Sequence, residues 1–368
     1  MGKDLKVGLV GARRSAGFLG ALAANPHTQV VAVCDVSEEA ARATAQKCGE
    51  GVRTFNDCEQ MLDKAGLDIL VVGTPMQFHV PHSVAALVRG VNVMSEVTAA
   101  TSIDECRWLV AAAKRSKAKY MMAENYTYMK TNVLVRAMVE AGVFGEVYFA
   151  EGEYIHELSA LHHYPDGRPT WRYFWQVGVN GCTYPTHSLG PCLQWVKERV
   201  ERVSCIGTGR WTDPEHAMED AVLMLCKTKS GKLVKIRVDM ISRRPHAMTN
   251  YALQGTKGAY ESARAAGERN RVWLKDFCTN ANEWRELKEF EEQFLPEFWK
   301  HPPEAAVKAG HGGGDYFEVA DFVDAILANR QPPIGVHEAL DMTLPGLVSQ
   351  ESIRREGEWV AVPDSRGW

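Results

Sequence analysis

No run in this chain is apolar for long enough to cross a bilayer, no cluster of lysines and arginines stands out, and no two cysteines form a C-x-x-C pair. The first absence argues against an integral membrane protein, the second against nucleic acid or an anionic membrane as the main partner. The third leaves neither a zinc site nor a disulfide framework, so no metal is expected, and the nine cysteines scattered from Cys34 to Cys278 read as reduced thiols. The first residues lead straight into the apolar Val7 to Val10 without a secretory h-region, so a cytoplasmic location is expected. Internal repeats and low-complexity segments are missing too. What remains is a chain of 368 residues, 45% hydrophobic and 24% charged with a formal net charge of -4. That composition suits about two globular domains acting on a small molecule.

The glycine signature is incomplete as well. Val7-Gly8-Leu9-Val10-Gly11 is an apolar run into a turn, but Ala12 and Arg13 follow, and the next glycines are Gly17 and Gly20, so G-x-G-x-x-G is not intact. The next unit strengthens the dinucleotide reading. Gln29-Val30-Val31-Ala32-Val33-Cys34 reads as a buried parallel strand ending at Asp35, an acid placed to accept hydrogen bonds from an adenosine ribose and to repel a 2′-phosphate. NAD is therefore expected over NADP. Arg13 and Arg14 could hold a 2′-phosphate or line the pyrophosphate, and Asp35 could instead cap the helix that follows.

Strands continue to alternate with helices up to Ala123, which predicts a doubly wound parallel sheet over residues 1–125. Ligands of such sheets lie beyond the carboxyl ends of the strands. The expected cofactor contacts are Gly11, Arg13, Arg14, Ser15, Gly17 and Phe18 in the first turn, then Asp35, then Thr74, Pro75, Gln77 and His79, and finally Glu96 and Asn125.

After Asn125 the pattern changes to longer alternating runs, which predict a mostly antiparallel open sheet in a second domain over residues 126–368. One face should be covered by helices. The other is free for contact with a second copy, as a homodimer or homotetramer. In the run Tyr154-Ile155-His156 the tyrosine and histidine share a face. Residues 158–179 are rich in Trp, Tyr, His, Arg and Pro, which suits either a sugar pocket or a hydrophobic cover. Gly310-His311-Gly312-Gly313-Gly314-Asp315 opens a further helix. In Tyr184-Pro185-Thr186-His187 a proline turn sets a histidine at the start of an amphipathic run. The positive end of the helix dipole favours a neutral imidazole there, able to take a proton. A purely structural helix-entry histidine fits the same pattern.

A Rossmann half with Thr74-Pro75 and Glu96, followed by a sheet domain with Tyr184-Pro185-Thr186-His187, resembles the Gfo/Idh/MocA oxidoreductases. Most members carry Glu-Lys-Pro after the fourth strand, where this chain has Glu96-Val97-Thr98. Its other motifs are similar to glycoside hydrolase family 109: Glu124-Asn125, Tyr154-Ile155-His156, Trp171-Arg172, Asn180-Gly181 through Pro191, Gly310-His311-Gly312-Gly313 and the ending Pro363 to Trp368. His246 stands where that family has a tyrosine after Arg-Pro. The resemblance implies an NAD-dependent glycosidase in which the sugar is transiently oxidised at C3, loses its C2 proton, eliminates the aglycone, adds water and is re-reduced. It implies His187 as base at the C3 hydroxyl and Tyr154 as acid/base at C2, with His156 and Glu124 positioning or assisting the leaving group. Trp171, Arg172, Tyr184, His246 and His311 are expected to bind substrate. The alternatives are a plain sugar or cyclitol dehydrogenase and a non-catalytic NAD-binding sensor.

Overall fold

The computed structural model describes residues 5–245 and 247–368. The chain divides into two compact units. The first comprises the residues up to Met129, Pro303–Leu340 and Ser365–Trp368; the second comprises Lys130–Pro302 and Asp341–Asp364. A single boundary after Asn125 was expected, so the return of residues 303–340 to the first unit is a correction. Its cause is the apolar stripe of helix Gly314–Leu327, which packs on the turn Asn125–Tyr128 and helix Leu19–Ala24.

The first unit is built on β1 (Leu5–Val10), β2 (Thr28–Cys34), β3 (Arg53–Phe55), β4 (Ile69–Val72), β5 (Asn92–Ser95) and β6 (Tyr120–Met122). They lie in the order β3-β2-β1-β4-β5-β6, all parallel. β4 is buried along its whole length, as expected of a strand covered on both faces. Strand order reverses between β1 and β4, which opens a crevice at their carboxyl ends. The covering helices are capped from the sequence: Ser37, Asp57 and Ser102 accept the N–H groups of Ala40, Gln60 and Glu105.

The second unit is a nine-stranded sheet of β7 (Val147–Ile155), β8 (Val200–Gly207), β9 (Val222–Thr228), β10 (Leu233–Asp239), β11 (Ala247–Gly255), β12 (Gly258–Glu261), β13 (Arg271–Leu274), β14 (Arg285–Glu286) and β15 (Val360–Ala361), in the order β14-β13-β12-β11-β7-β10-β9-β8-β15. Every pairing is antiparallel except that of β7 with β10. Helix Thr186–Val196 lies on β7. The approach is close because Gly152 has no side chain: a Cβ there would run into the carbonyl of Ser188. Lys235 and Arg264 pair with Glu151 at 2.9 Å each. All nine cysteines are free thiols. No helix among the described residues is long and apolar enough to cross a membrane.

Candidate functional site

In the first unit the turn after β1 depends on Gly11. Its φ of 80° is left-handed, and a Cβ would strike the backbone of Gly73 after β4. Asp35 lies beside this turn, where one carboxylate oxygen accepts the Ala12 N–H and the other the Ser37 N–H, each at 2.9 Å. The cap of helix Glu38–Cys48 is Ser37, not Asp35. Asp35 is therefore pinned at the strand end with lone pairs left for ribose hydroxyls. Arg14 is 2.5 Å from Glu96 in an ion pair and lies over the Phe18 ring. Arg13 and Gly17 are exposed.

Three of the expected cofactor contacts act from inside the fold. The Ser15 hydroxyl donates to the Val10 carbonyl at 2.9 Å, and Phe18 is fully buried. The buried His79 ring lies between the carbonyls of Thr98 (2.8 Å) and Thr74 (2.9 Å). Burial lowers the pKa of His79, and the two carbonyls oppose that shift. Pro75 leads into the turn Met76–Phe78, where Thr74 Oγ1 and Gln77 Oε1 are buried without a hydrogen-bond partner. Orphaned polar atoms at the end of β4, an acceptor carboxylate at the end of β2 and a glycine turn form a polar set that fits a dinucleotide.

Glu124 is buried after β6, and one of its oxygens accepts the Tyr126 N–H at 3.3 Å. Asn125 and His311 both converge on Asp315: Asn125 Nδ2 donates to its carboxylate at 2.9 Å, and His311 Nδ1 donates to the same oxygen at 2.9 Å. Gly314 permits this contact, since a Cβ would lie 2.6 Å from the Asn125 carbonyl. His311, expected at the substrate, thus belongs to the first unit and braces Asn125.

In the second unit four rings gather. Tyr154 Oη and His156 Nδ1 are 2.9 Å apart. The Tyr154 centroid lies 5.5 Å from that of His187 and 5.6 Å from that of Tyr184, with Tyr184 and His187 at 5.4 Å. His187 is the second residue of helix Thr186–Val196, which Pro185 precedes, and its carbonyl accepts the Tyr251 hydroxyl at 2.5 Å. The shared face of Tyr154 and His156 makes the pair possible, and Gly152 brings the helix of His187 to the same strand. Such a cluster holds two separate proton-handling units: an imidazole on a helix start, and a phenol coupled to a second imidazole. Trp171 and Arg172 open helix Trp171–Trp175. Arg172 stacks over Trp171 at 4.5 Å and donates to Gln176 at 2.8 Å. His246 lies outside the described residues. The sequence reading did not reach Tyr251, although its inward position on β11 follows from alternation with Leu253.

Three family models match. Residues 5–124 match the oxidoreductase family with an NAD-binding Rossmann fold, residues 133–261 the GFO/IDH/MocA C-terminal domain, and residues 208–367 the glycosyl hydrolase 109 C-terminal domain. A glycosyl hydrolase family 109 protein of Saccharopolyspora erythraea is 29% identical, over 98% of this chain and 83% of its own. An alpha-N-acetylgalactosaminidase of Shewanella oneidensis is 26% identical, over 85% of this chain and 73% of its own. Among solved structures, levoglucosan dehydrogenase in complex with NADH and L-sorbose superposes with a TM-score of 0.83 at 20% identity, over 99% of this chain and 100% of that one. That likeness is one of fold. With a glycine-turn Rossmann unit and an open-sheet unit both matched, the chain belongs to the Gfo/Idh/MocA oxidoreductase family, uses NAD, and carries a C-terminal part of the glycosyl hydrolase 109 type.

Proposed function

We propose that the protein is an NAD-dependent glycosidase that works through transient oxidation of the sugar at C3. The observation that carries this reading is the second proton-handling unit beside His187: the Tyr154–His156 pair at 2.9 Å. A plain dehydrogenase needs one base, at the hydroxyl being oxidised. A lyase-like glycosidase needs a further acid/base for the C2 proton, which the neighbouring ketone acidifies. NAD supplies a reversible hydride acceptor, held by Asp35, the Gly11 turn, Thr74, Gln77 and Asn125. Val97 stands where most members have a lysine, so His187 takes the C3 hydroxyl proton. Tyr154 removes the C2 proton, with His156 accepting the phenolic proton in exchange, and then returns one as water adds. Glu124 assists the leaving group. Trp171 and Tyr184 offer flat faces to the sugar, and Arg172 a cation. The similarity to an alpha-N-acetylgalactosaminidase makes N-acetylgalactosaminides the first glycosides to try.

Nitrophenyl α- and β-glycosides, followed at once for aglycone and for NADH, test the reading. Aglycone released without steady accumulation of NADH is the expected result; accumulation of NADH and a keto sugar with the glycoside intact would make it a dehydrogenase. Tyr154→Phe should halt the reaction after oxidation, leaving one equivalent of NADH trapped on the protein.

A further inference from the structure

The residues Asn180-Gly181-Cys182 lead into the turn that carries Tyr184 and His187. Gly181 has a φ of 124°, in the region that residues with a side chain rarely adopt, and a glycine there has many other conformations within reach. Such a pivot just ahead of two site residues leaves both rings poorly aimed unless its flanks are held.

Both flanks are held, each by a side chain distant in sequence. On one side Asn180 and Glu219 exchange two hydrogen bonds: Asn180 Nδ2 donates to Glu219 Oε1 at 3.1 Å, and the Glu219 N–H donates to Asn180 Oδ1 at 3.0 Å. The second Glu219 oxygen accepts the Gly209 N–H at 2.5 Å, so the carboxylate is itself fixed. The Met218 N–H extends this pairing to the Val177 carbonyl at 2.9 Å. On the other side the fully buried Ser349 hydroxyl accepts the Cys182 N–H at 2.8 Å and donates to the Gly346 carbonyl at 2.6 Å. With its one proton spent on Gly346, the hydroxyl turns a lone pair toward Cys182. Ser349 lies on helix Val336–Arg354, in the part from Asp341 onward that belongs to the second unit. Gly346 lets that helix come close, since a Cβ there would lie 2.5 Å from the Cys182 carbonyl oxygen and 2.8 Å from the Pro185 ring.

We propose that Glu219 and Ser349 are positioning residues that lock the pivot at Gly181 from its two sides, and so set where Tyr184 and His187 stand against Tyr154. They act through Asn180 and Cys182 and touch no reacting atom. The catalytic consequence rests on the reading of His187 and Tyr154 as the proton-handling groups; the lock itself does not.

The test uses the full-length protein with NAD, labelled with carbon-13 at histidine Cε1. The His187 signal is assigned by its loss in His187→Ala. Its ring, with centroids 5.4 Å from Tyr184 and 5.5 Å from Tyr154, takes ring-current shifts from both and so reports their arrangement without any substrate. Wild-type protein should give one sharp, displaced signal. Glu219→Ala and Ser349→Val should move or broaden it. Ser349→Thr, which has the shape of valine but keeps the hydroxyl, should restore it, and Glu219→Gln, with an acceptor for one of the two N–H groups, should fall between Glu219→Ala and wild type. Circular dichroism checks folding, and Ser349→Ala replaces a valine variant that does not fold. With the glycoside identified by the panel, kcat should fall by up to roughly 10²-fold in step with the signal, with KM and NAD affinity little changed. A His187 signal that stays in place in Glu219→Ala and in the variants without the Ser349 hydroxyl, or that Ser349→Thr restores no better than Ser349→Val, would overturn the lock. A signal that moves while turnover is kept would support the lock and overturn the catalytic reading of His187.

Discussion

Gly152→Ala adds one methyl group at the place where β7 meets the helix of His187. The new carbon would overlap the Ser188 carbonyl oxygen, and relieving the overlap requires strand and helix to part by about 1 Å. Neither side yields easily: Gly152 pairs with both Ile236 and Tyr251, and the helix start is tied to Tyr251 through the His187 carbonyl. The overpacking should lower unfolding stability by about 1–3 kcal/mol. A displacement of this size between His187 and Tyr154 should reduce turnover by roughly 10²-fold. NAD affinity should not change, because the cofactor residues belong to the other unit. Urea unfolding, cofactor titration and turnover, measured well below the unfolding midpoint, separate these effects. A variant as active as wild type despite lost stability would refute the claim that strand-to-helix spacing sets the geometry of the site.

His187→Ala should leave NAD affinity nearly intact while turnover falls by roughly 10²- to 10⁴-fold, measured with the glycoside identified by the panel. Asp35→Ser should weaken NAD by about 1.5–3 kcal/mol and narrow the preference over NADP, read by equilibrium titration of both; tighter NADP in the unmodified protein would shift the role to Arg13. Burial first, and then the neighbouring His216, push His162 down to about 4. The unfolded chain takes up a proton near pH 6.5 that the folded chain refuses, so stability should fall as pH drops from there toward 4, by at most about 3 kcal/mol. Urea midpoints over that range should lose this slope in His162→Phe. The open sheet face, with Phe149, Ala252 and Trp273 only partly covered, should join copies into a dimer or tetramer, which light scattering checks.

The parts of this protein legible in the sequence are those governed by local rules. Strand–glycine–helix spacing located Gly11 and Asp35, strand alternation paired Tyr154 with His156, and the proline turn placed His187 on a helix start. Long-range packing decided the rest. Ser15, Phe18 and His79 sit among the expected cofactor contacts in the chain, but adjacency does not reveal which side of a loop a side chain takes, and their polar groups or rings turn inward. The glycines around His311 suggest close approach of backbone to a ligand, and in the structure one of them, Gly314, allows close packing on Asn125.

The proposed glycosidase cycle differs from plain oxidation in requiring chemistry at C2 as well as C3. Turnover of a glycoside in deuterium oxide, followed by mass and proton analysis of the released sugar, addresses it most directly. Deuterium is expected at C2 in wild-type product and none at C3, because the hydride removed from C3 is returned there. Product with no deuterium at C2, formed under conditions of full turnover, would contradict that cycle.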